Sequence, residues 1–335
     1  MRAALVTPTA LTLAENVSRA VGREVWVKHD NATHPRYGGN KVRKLEHLLA
    51  DARAVGATDL VTVGAAGSHH VLATTVHGTD AGFRVEAVLA PQPRNEHVVM
   101  NLKADLAQGA TLYPVAHAWE VAIKVAARVA TLRAQGRHPY VIPPGGSTPT
   151  GCLGYVDAVA ELKQQLSERG IAPFDVMVCA LGSGGTLAGL MAGARLHGMP
   201  TEAWGVRVAT GPMMGSSPAV AWLATQTLHL AAPERAKDLK RFARGDVRSL
   251  SDQVGDGYGV PTEESRAATE LFARDDVTLD STYTAKGAAG LLAMALRDPT
   301  PRRYLFWNTL SSAPVAGLIA DTNAPLPAAL EPLLG

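Results

Sequence analysis

Short apolar strands alternate with helices along most of this chain, and this alternation limits the folds that the chain can adopt. The first series has strand-like segments at 60–63, 85–89, 111–115 and 140–142. A second series follows, with strand-like segments at 175–180, 203–208 and 304–307. Strands that alternate with helices form mostly parallel sheets covered by helices on both faces. The sequence therefore predicts an α/β fold.

The length of the chain and a break near its middle predict two domains. The chain has 335 residues, and hydrophobic cores commonly split above about 250 residues. Pro143-Pro144-Gly145-Gly146-Ser147 is a turn-rich break between the two series. We therefore expect a smaller α/β domain of residues 45–150, inserted into a larger domain formed by residues 1–44 and 151–335.

Charge and cysteine content narrow the class of partner. The chain has 32 Lys and Arg against 30 Asp and Glu, and no run of like charges that would bind nucleic acid. Its 2 cysteines are too few for a disulfide framework and lack the spacing of a metal site. No signal peptide and no apolar window of about 18 residues stand out. We expect a cytoplasmic protein that binds a small molecule, with no metal, nucleic-acid or membrane partner.

The segment Gly38-Gly39-Asn40-Lys41 places a lysine directly after a two-glycine turn, at the start of a predicted helix over 41–55. Glycines allow a tight turn and the close approach of a planar ring. The positive end of a helix favours the neutral, nucleophilic form of the lysine amine. A neutral amine in such a pocket suits Schiff-base chemistry with an aldehyde cofactor. The alternative is a loop and an amphipathic helix whose basic side chains are only solvated.

A glycine loop, Gly182-Ser183-Gly184-Gly185-Thr186, follows a predicted strand and opens a helix. Such a loop directs backbone N–H groups and the positive helix end toward one point, where an anion can bind. The loop lacks the three spaced glycines of a dinucleotide site, and the next strand ends without a convincing acidic residue for a ribose. A phosphate monoester fits better than NAD, and an ordinary strand-to-helix turn is the alternative.

Ser68, His69 and His70 stand at a similar strand-to-helix junction in the first series. Ser68 offers a hydroxyl and free N–H groups to a carboxylate, or else it is only the helix N-cap. Adjacent histidines point in different directions from a helix, which argues against a zinc site.

Two tyrosines lie in loop-like contexts, Tyr258 between glycines and Tyr283 before Thr284. A phenol in such a loop can act as an acid, a base or a hydroxyl donor, although most tyrosines serve in packing.

These motifs together stand in the order found in one family. The chain resembles the D-cysteine desulfhydrase and 1-aminocyclopropane-1-carboxylate (ACC) deaminase family, pyridoxal-phosphate (PLP) enzymes with the two-domain fold type II of the tryptophan synthase β-subunit. The resemblance covers nearly the whole chain. It is carried by the segments 38–46, 145–147 with Gly154-Tyr155, 182–186, 257–261 and 283–286.

The resemblance implies a role for each motif. Lys41 forms the Schiff base with PLP, and Tyr258 and Tyr283 flank the substrate. Ser68 contacts the substrate carboxylate, and Thr284 faces the pyridine nitrogen. The cofactor phosphate is held by Gly182, Ser183, Gly184, Gly185 and Thr186. The implied cofactor contacts also include Asn40 and His69, and the implied substrate contacts include His69 and His70. A homodimer is implied as well.

Two places depart from the family pattern. The family usually has Asn where His69 stands, so the contact to the 3′-oxygen of PLP passes to His69 or is lost. A Gly-Gly pair is usual where residues 308–312 stand, and the larger side chains narrow the pocket.

Thr284 decides between two reactions of the family. ACC deaminases have Glu at this position, and a carboxylate stabilises a protonated pyridine, which is the stronger electron sink. A neutral hydroxyl suits α,β-elimination from a small amino acid such as D-cysteine, with Lys41 as the Cα base and a tyrosine or His69 assisting. The aminoacrylate product then hydrolyses to a 2-oxo acid and ammonia. The alternatives are ACC deamination and a PLP-binding protein without turnover.

Overall fold

The structure, a computed structural model, describes residues 5–211, 214–257, 259–300, 302–311, 313–321 and 323–334. The chain divides into two compact units. The smaller unit contains Leu45–Gly146 and the described residues from 313 to 334. The larger unit contains Leu5–Lys44 and the described residues from 147 to 311.

The C-terminal residues lie in the smaller unit, whereas the sequence prediction placed them in the larger domain. Leu330, Leu333 and Leu334 are buried in one apolar cluster with Val98 and Leu102. The backbone N–H of Gln92 also donates to the carbonyl of Leu333 at 2.9 Å. Burial of these leucines is what holds the end of the chain on the smaller unit.

The strands are β1 Leu11–Leu13, β2 Val25–Lys28, β3 Asp59–Ala65, β4 Arg84–Ala90, β5 Thr111–Pro114, β6 Pro139–Ile142, β7 Val176–Leu181, β8 Glu202–Arg207, β9 Arg248–Leu250 and β10 Tyr304–Trp307. The α-helices are α1 Glu15–Val21, α2 Asn40–Ala54, α3 His69–Asp80, α4 Glu96–Ala107, α5 Glu120–Ala134, α6 Pro149–Glu168, α7 Gly185–Leu196, α8 Ser217–Ala231, α9 Glu263–Ala273 and α10 Thr284–Arg297.

Each unit is built on one sheet. The larger unit has a six-stranded sheet in the order β1-β2-β10-β7-β8-β9, parallel except for the antiparallel pair β1 and β2. The smaller unit has a four-stranded parallel sheet in the order β5-β4-β3-β6. The predicted α/β fold with mostly parallel sheets is therefore confirmed.

Helices cover both faces of the larger sheet with two separate cores. One core joins α6, α7 and α8 to residues such as Met177, Cys179 and Leu305, and the other joins α1, α9 and α10 to Val176, Val178 and Phe306. Alternate residues of the same strands thus enter opposite cores, as the pleat of a strand requires. No α-helix in the described ranges is both long and apolar enough to cross a membrane.

Two short edge strands, β1 and β9, were not predicted. Each has only three residues, and β9 has the sequence Arg-Ser-Leu, which is not a run of apolar residues. An edge strand is buried on fewer sides than a central one, so it does not need the continuous apolar pattern that identifies β7 or β10.

Candidate active site

The turn before Lys41 accepts glycine alone at two positions. A Cβ on Gly38 would lie 2.3 Å from the backbone oxygen of Asn31. Gly39 has φ +89°, and its Cβ would lie 2.9 Å from the backbone oxygen of Thr309. The close approach and the left-handed backbone both exclude side chains. The turn therefore fixes where α2 begins and where Lys41 stands, at its second residue.

The segment that follows β10 packs on this turn. Ser311 accepts a hydrogen bond from the backbone N–H of Gly38 at 2.9 Å. The backbone N–H of Asn40 donates to the carbonyl of Thr309 at 3.1 Å. Residues 308–311, which depart from the family pattern, thus support the lysine turn directly.

The Lys41 amine has the character of a base at neutral pH. Burial lowers its pKa to about 7, the charge of Lys44 adds to this effect, and the charge of Asp280 opposes it. The amine donates a hydrogen bond to Asn40 Oδ1 at 2.7 Å. A lysine whose pKa is near 7 is present in a substantial fraction at neutral pH as the neutral nucleophile that Schiff-base formation needs.

A short hydrogen-bond chain links Lys41 to the glycine loop. Lys41 Nζ donates to the oxygen of the Asn40 amide, and the amide nitrogen donates to Thr186 Oγ1 at 3.1 Å. Thr186 lies in the first turn of α7, directly after the loop. The structure thus brings the Asn40-Lys41 motif together with the predicted anion site, which is distant from it in the sequence.

The glycine loop forms a small cradle at the N-terminus of α7. Gly184 is the N-cap residue with φ +92°, a conformation that favours glycine. Ser183 Oγ and Ser147 Oγ lie 2.8 Å apart. A Cβ on Gly185 would lie 2.5 Å from Ser147 Oγ, so the serine hydroxyl closely approaches the loop backbone. The N–H groups at the start of α7, the two hydroxyls and the positive end of this helix together suit a phosphate.

Lys44 is a site residue that the sequence analysis missed. It is only 2% exposed, and its Nζ would lie 2.8 Å from a Cβ on Gly185. Burial lowers its pKa. A buried ammonium beside an anion cradle supplies the positive charge that a phosphate dianion requires. The signal in the sequence was its spacing, because residues three apart on a helix share a face, and Lys44 is three residues after Lys41.

Tyr283 and Thr284 lie at the start of α10, and Tyr283 also touches the glycine loop. A Cβ on Gly182 would lie 3.1 Å from the ring of Tyr283. Thr284 is 1% exposed. Its hydroxyl donates to Asp280 Oδ2 at 2.7 Å and accepts from the backbone N–H of Asp280 at 2.7 Å. Asp280, a second residue that the sequence analysis missed, therefore fixes the orientation of the Thr284 hydroxyl.

Ser68, His69 and His70 lie in the smaller unit at the start of α3. Ser68 is the N-cap, and its hydroxyl accepts from the backbone N–H of Val71 at 3.4 Å. The ring of His69 packs against that of His97, with centroids 4.5 Å apart. His70 is 4% exposed, and its Nε2 lies 3.1 Å from Thr62 Oγ1. These contacts favour a packing role for His70, whereas its implied contact with the substrate stays a prediction.

The backbone around Ser68 is held by side chains of the same unit. The carbonyl of Gly67 accepts from Asn101 Nδ2 at 2.9 Å, and His97 Nε2 lies 3.2 Å from it. The N–H of Gly67 donates to Gln92 Oε1 at 3.0 Å.

Tyr258, the other predicted substrate contact, lies outside the described residues. Within the described ranges, no three His, Cys, Asp or Glu side chains converge in a way that could hold a metal ion.

Comparison with known proteins gives one consistent family. The model of the pyridoxal-phosphate dependent enzyme family matches residues 3–309. A putative 1-aminocyclopropane-1-carboxylate deaminase of Pyrococcus horikoshii is 34% identical over 307 residues, which cover 90% of this chain and 88% of that protein. The corresponding protein of Pyrococcus abyssi is 32% identical over 314 residues, with the same coverage. The chain therefore belongs to the pyridoxal-phosphate dependent enzyme family.

Solved structures agree with this assignment. The crystal structure of an ACC deaminase homologue superposes with a TM-score of 0.80 at 30% identity and covers 95% of both chains. A threonine deaminase isoform of Solanum lycopersicum has a TM-score of 0.62 at 15% identity, over 94% of this chain and 84% of that one, and shows the shared fold. The protein has fold type II, and the predicted family and cofactor are confirmed.

The residues of the larger unit fit PLP. The phosphate needs a cradle without side chains, and a Cβ at Gly185 would fill the one described above. The aldehyde needs a neutral amine, and the pKa of about 7 supplies one at Lys41. Asn40 connects the two by hydrogen bonds. We therefore expect Lys41, Lys44, Ser183 and Thr186 to be the side chains that hold the cofactor.

Proposed function

We propose that this protein is a PLP-dependent deaminase that eliminates a Cβ leaving group from a small amino acid such as D-cysteine. The substrate loses its Cα proton and the leaving group, and the product takes up one water to give a 2-oxo acid and ammonia. PLP, when bound, supplies the electron sink that makes the Cα proton acidic. The residues named below bind, orient and transfer protons.

Lys41 is the proposed proton carrier. A group with pKa about 7 can accept a proton from Cα and release it again at neutral pH. Asn40 Oδ1 accepts from its Nζ and so orients the amine. This hydrogen-bonded lysine beside the glycine cradle is the observation that carries the proposal.

Thr284 supports elimination over ring opening. Its hydroxyl donates to Asp280 Oδ2 and accepts from the backbone N–H of Asp280, so this position holds a neutral group that carries no charge of its own. The resemblance places a Glu here in ACC deaminases. Elimination needs a weaker electron sink than ring opening, because the leaving group removes the electron pair soon after the Cα–H bond breaks.

ACC deamination is the second candidate, and the names of the two Pyrococcus relatives and of the solved homologue favour it. Both candidates share Lys41, the cradle and the products ammonia and a 2-oxo acid.

We also propose a cytoplasmic homodimer. The two cysteines are free and buried, as is usual in reducing compartments, and the dimer rests on the family resemblance.

The deciding experiment incubates the purified holoenzyme with β-substituted alanines of both configurations and, separately, with ACC. We expect 2-oxo acid, ammonia and leaving group in equal amounts from at least one β-substituted alanine. Lys41→Ala should abolish this release and the visible absorbance of the bound cofactor. Turnover of ACC with no release from any β-substituted alanine would assign the second candidate. Bound cofactor with no turnover of any of these compounds would assign a PLP-binding protein without catalysis.

A further inference from the structure

Lys286 is a buried lysine in the first turn of α10 that the proposed chemistry does not use. Its side chain is 0% exposed. Its Nζ donates to the backbone carbonyls of Val254 at 2.7 Å and Gly257 at 2.8 Å, and reaches that of Val208 at 3.4 Å. Three oxygens from two separate chain segments thus surround one ammonium group.

These carbonyls depend on Lys286. The backbone N–H of Gly257 reaches the oxygen of Val254 only at 3.4 Å, and that of Val260 reaches the oxygen of Gly257 only at 3.4 Å. Both carbonyls therefore receive their shortest hydrogen bonds from Lys286 Nζ. Val208 is buried, and Val254 and Gly257 are partly buried. Removal of the ammonium would therefore leave a cluster of oxygens that lack a good donor and are at least partly shielded from water, which lowers stability.

The charge of Lys286 is neutralised by dipoles more than by a carboxylate. Burial lowers the pKa of Lys286, and the charge of Asp256, an exposed residue, opposes that change. A ring of backbone carbonyls is also how proteins bind monovalent cations, because the carbonyl dipoles replace the hydration shell of the ion. The ammonium group of a lysine is a covalently attached equivalent of such an ion.

The three carbonyls belong to segments next to positions that the resemblance assigns to the site. Val208 directly follows β8, at the carboxyl end of a parallel strand, where ligands of open α/β sheets bind. Val254 and Gly257 lie in the loop that precedes Tyr258 in the sequence. Lys286 itself stands two residues after Thr284. The ammonium therefore joins the start of α10 to this loop and to the end of β8.

We propose that Lys286 is a built-in cation, a positioning residue whose ammonium occupies a carbonyl site suited to a free monovalent cation and so fixes the loop before Tyr258. Two consequences follow. The wild-type protein needs no added monovalent cation for stability. A variant that lacks the ammonium gains a site for ammonium or potassium ions.

The test uses the full-length holoenzyme with Lys286→Ala, which leaves both the carbonyls and a cavity, and Lys286→Met, which fills the cavity with an apolar stem. The matched control is Lys163→Ala, because Lys163 also donates to a backbone carbonyl, but to one only, that of His197 at 2.7 Å, and at the surface. Thermal midpoints are measured in the chlorides of ammonium, potassium, sodium and choline at one ionic strength.

We expect Lys286→Ala to lower the midpoint by roughly 5–10 °C in choline chloride. Ammonium or potassium should restore at least half of that loss, with a saturable dependence on a concentration on the order of 0.1 M. Lys286→Met should lose stability without being rescued, since its stem fills the site. The thermal midpoints of wild type and of Lys163→Ala should be the same in all four salts. The backbone amides of residues 254–257 should exchange fastest in the variants and salts that give the lowest thermal midpoints.

Two outcomes would overturn the proposal. One is a midpoint of Lys286→Ala that ammonium and potassium raise no more than choline does. The other is a wild-type protein whose midpoint or bound-cofactor absorbance requires an added monovalent cation, a measurement that stands even if neither variant folds. Neither readout depends on which amino acid is the substrate, so a failure here is distinct from a failure of the proposed function.

Discussion

Two buried carboxyl groups, one in each unit, have opposite pKa shifts. Asp30 in the larger unit and Asp105 in the smaller unit are both 0% exposed. Burial would raise the pKa of Asp30, but the charge and hydrogen bonds of Arg43 hold it below its usual value. Burial raises the pKa of Asp105 to about 8, and the one hydrogen bond from Thr75 only partly opposes this. The same side chain is therefore ionised in one unit and neutral in the other at pH 7.

The partners explain the difference. Asp30 accepts from Arg43 Nε at 2.9 Å and Nη2 at 2.7 Å, from Tyr155 Oη at 2.8 Å and from Trp307 Nε1 at 2.6 Å. Asp105 accepts from Thr75 Oγ1 at 2.9 Å, and its Oδ2 has no hydrogen-bond partner among the residues that the structure describes. A buried charge persists only where a cation and several donors compensate its desolvation. Otherwise the group takes up a proton.

The paired charges of the larger unit also position the site. Arg43 bridges Asp30 and Glu161, and Glu161 pairs with Lys28. Arg43 is two residues after Lys41, and the carbonyl of Asp30 accepts from the N–H of Gly39 at 2.9 Å. The network therefore anchors both the turn before Lys41 and the helix after it. Its stability and the geometry of the reactive lysine are coupled.

The largest expected effect comes from breaking this network. Asp30→Asn removes the charge but keeps the shape, so Arg43 is left buried without its main partner. We expect a loss of about 3–5 kcal/mol in the free energy of unfolding at pH 7. Because the pKa of Asp30 is lowered, this contribution is present above the unfolded pKa and is lost as pH falls through the folded one. Denaturant unfolding at several pH values measures it.

The control for Asp30→Asn is Asp252→Asn. Asp252 pairs with Arg297 at 3.5 Å, and both side chains are well exposed. We expect less than about 1 kcal/mol there. The double variant Asp30→Asn with Arg43→Met should recover part of the loss, because it removes both members of the pair. Equal losses for Asp30→Asn and Asp252→Asn would contradict a stabilising buried network.

Lys41 extends the comparison of Asp30 with Asp105, because it lies in the larger unit and yet burial lowers its pKa and favours its neutral form. Its folded pKa, about 7, is below its unfolded value, so the unfolded chain binds more protons between pH 7 and about 10.5. Folding stability of the cofactor-free protein should therefore rise with pH across this range. Between pH 7 and 10, the unfolding free energy of wild type should rise by on the order of 3 kcal/mol more than that of Lys41→Met.

The measurement is chemical denaturation of both cofactor-free proteins at pH 7, 8.5 and 10. The variant should be the more stable protein at pH 7 and should approach wild type at pH 10. Lys163→Met, at the surface, is the control and should follow wild type. Parallel curves for Lys41→Met and wild type would show that the Lys41 amine is not shifted toward neutrality.

The sequence predicted the central parts of the fold because those parts are buried on both faces. β7 and β10 are continuous apolar runs with burial along their length, and Leu45, Leu48 and Ala52 follow the helical spacing that α2 requires. The C-terminal segment was expected in the larger domain but lies in the smaller unit. Leu330 and Leu333 belong to one 3-10 segment, Ala328–Leu334, which is too short to show an amphipathic pattern. Nothing local encodes which core those leucines enter.

The site was predicted to the extent that it is local in the sequence. Lys41 and the 182–186 loop carry their own turn chemistry, so the motif and its structure coincide. Asp30 reaches the site by a tertiary contact with Arg43, whereas Asp280 lies only four residues before Thr284 and contacts it locally. In both cases an isolated aspartate in a sequence has no distinguishing pattern. Asp105 is similar, since its burial and its raised pKa follow from the packing of α4 on α3.

Asp105 gives the smallest expected effect and the direct test of the opposite shift. Its raised pKa means that the folded state binds the extra proton, so its contribution is full below the unfolded pKa, near 4, and is lost as pH rises toward 8. Asp105→Asn can still accept from Thr75 and does not titrate. Relative to this variant, wild type should lose roughly 2 kcal/mol of unfolding free energy between pH 5 and 7.

Chemical denaturation at pH 5, 6, 7 and 8 measures the loss, with Asp80→Asn at the exposed end of α3 as the control. The control should follow wild type at every pH, since its carboxyl is not buried. Asp105→Asn should become the more stable protein as pH rises, in contrast to Asp30→Asn, which should be the less stable one at neutral pH. A wild type that gains stability relative to Asp105→Asn between pH 5 and 7 would mean that Asp105 is ionised and has a cationic partner, and the contrast with Asp30 would then fail.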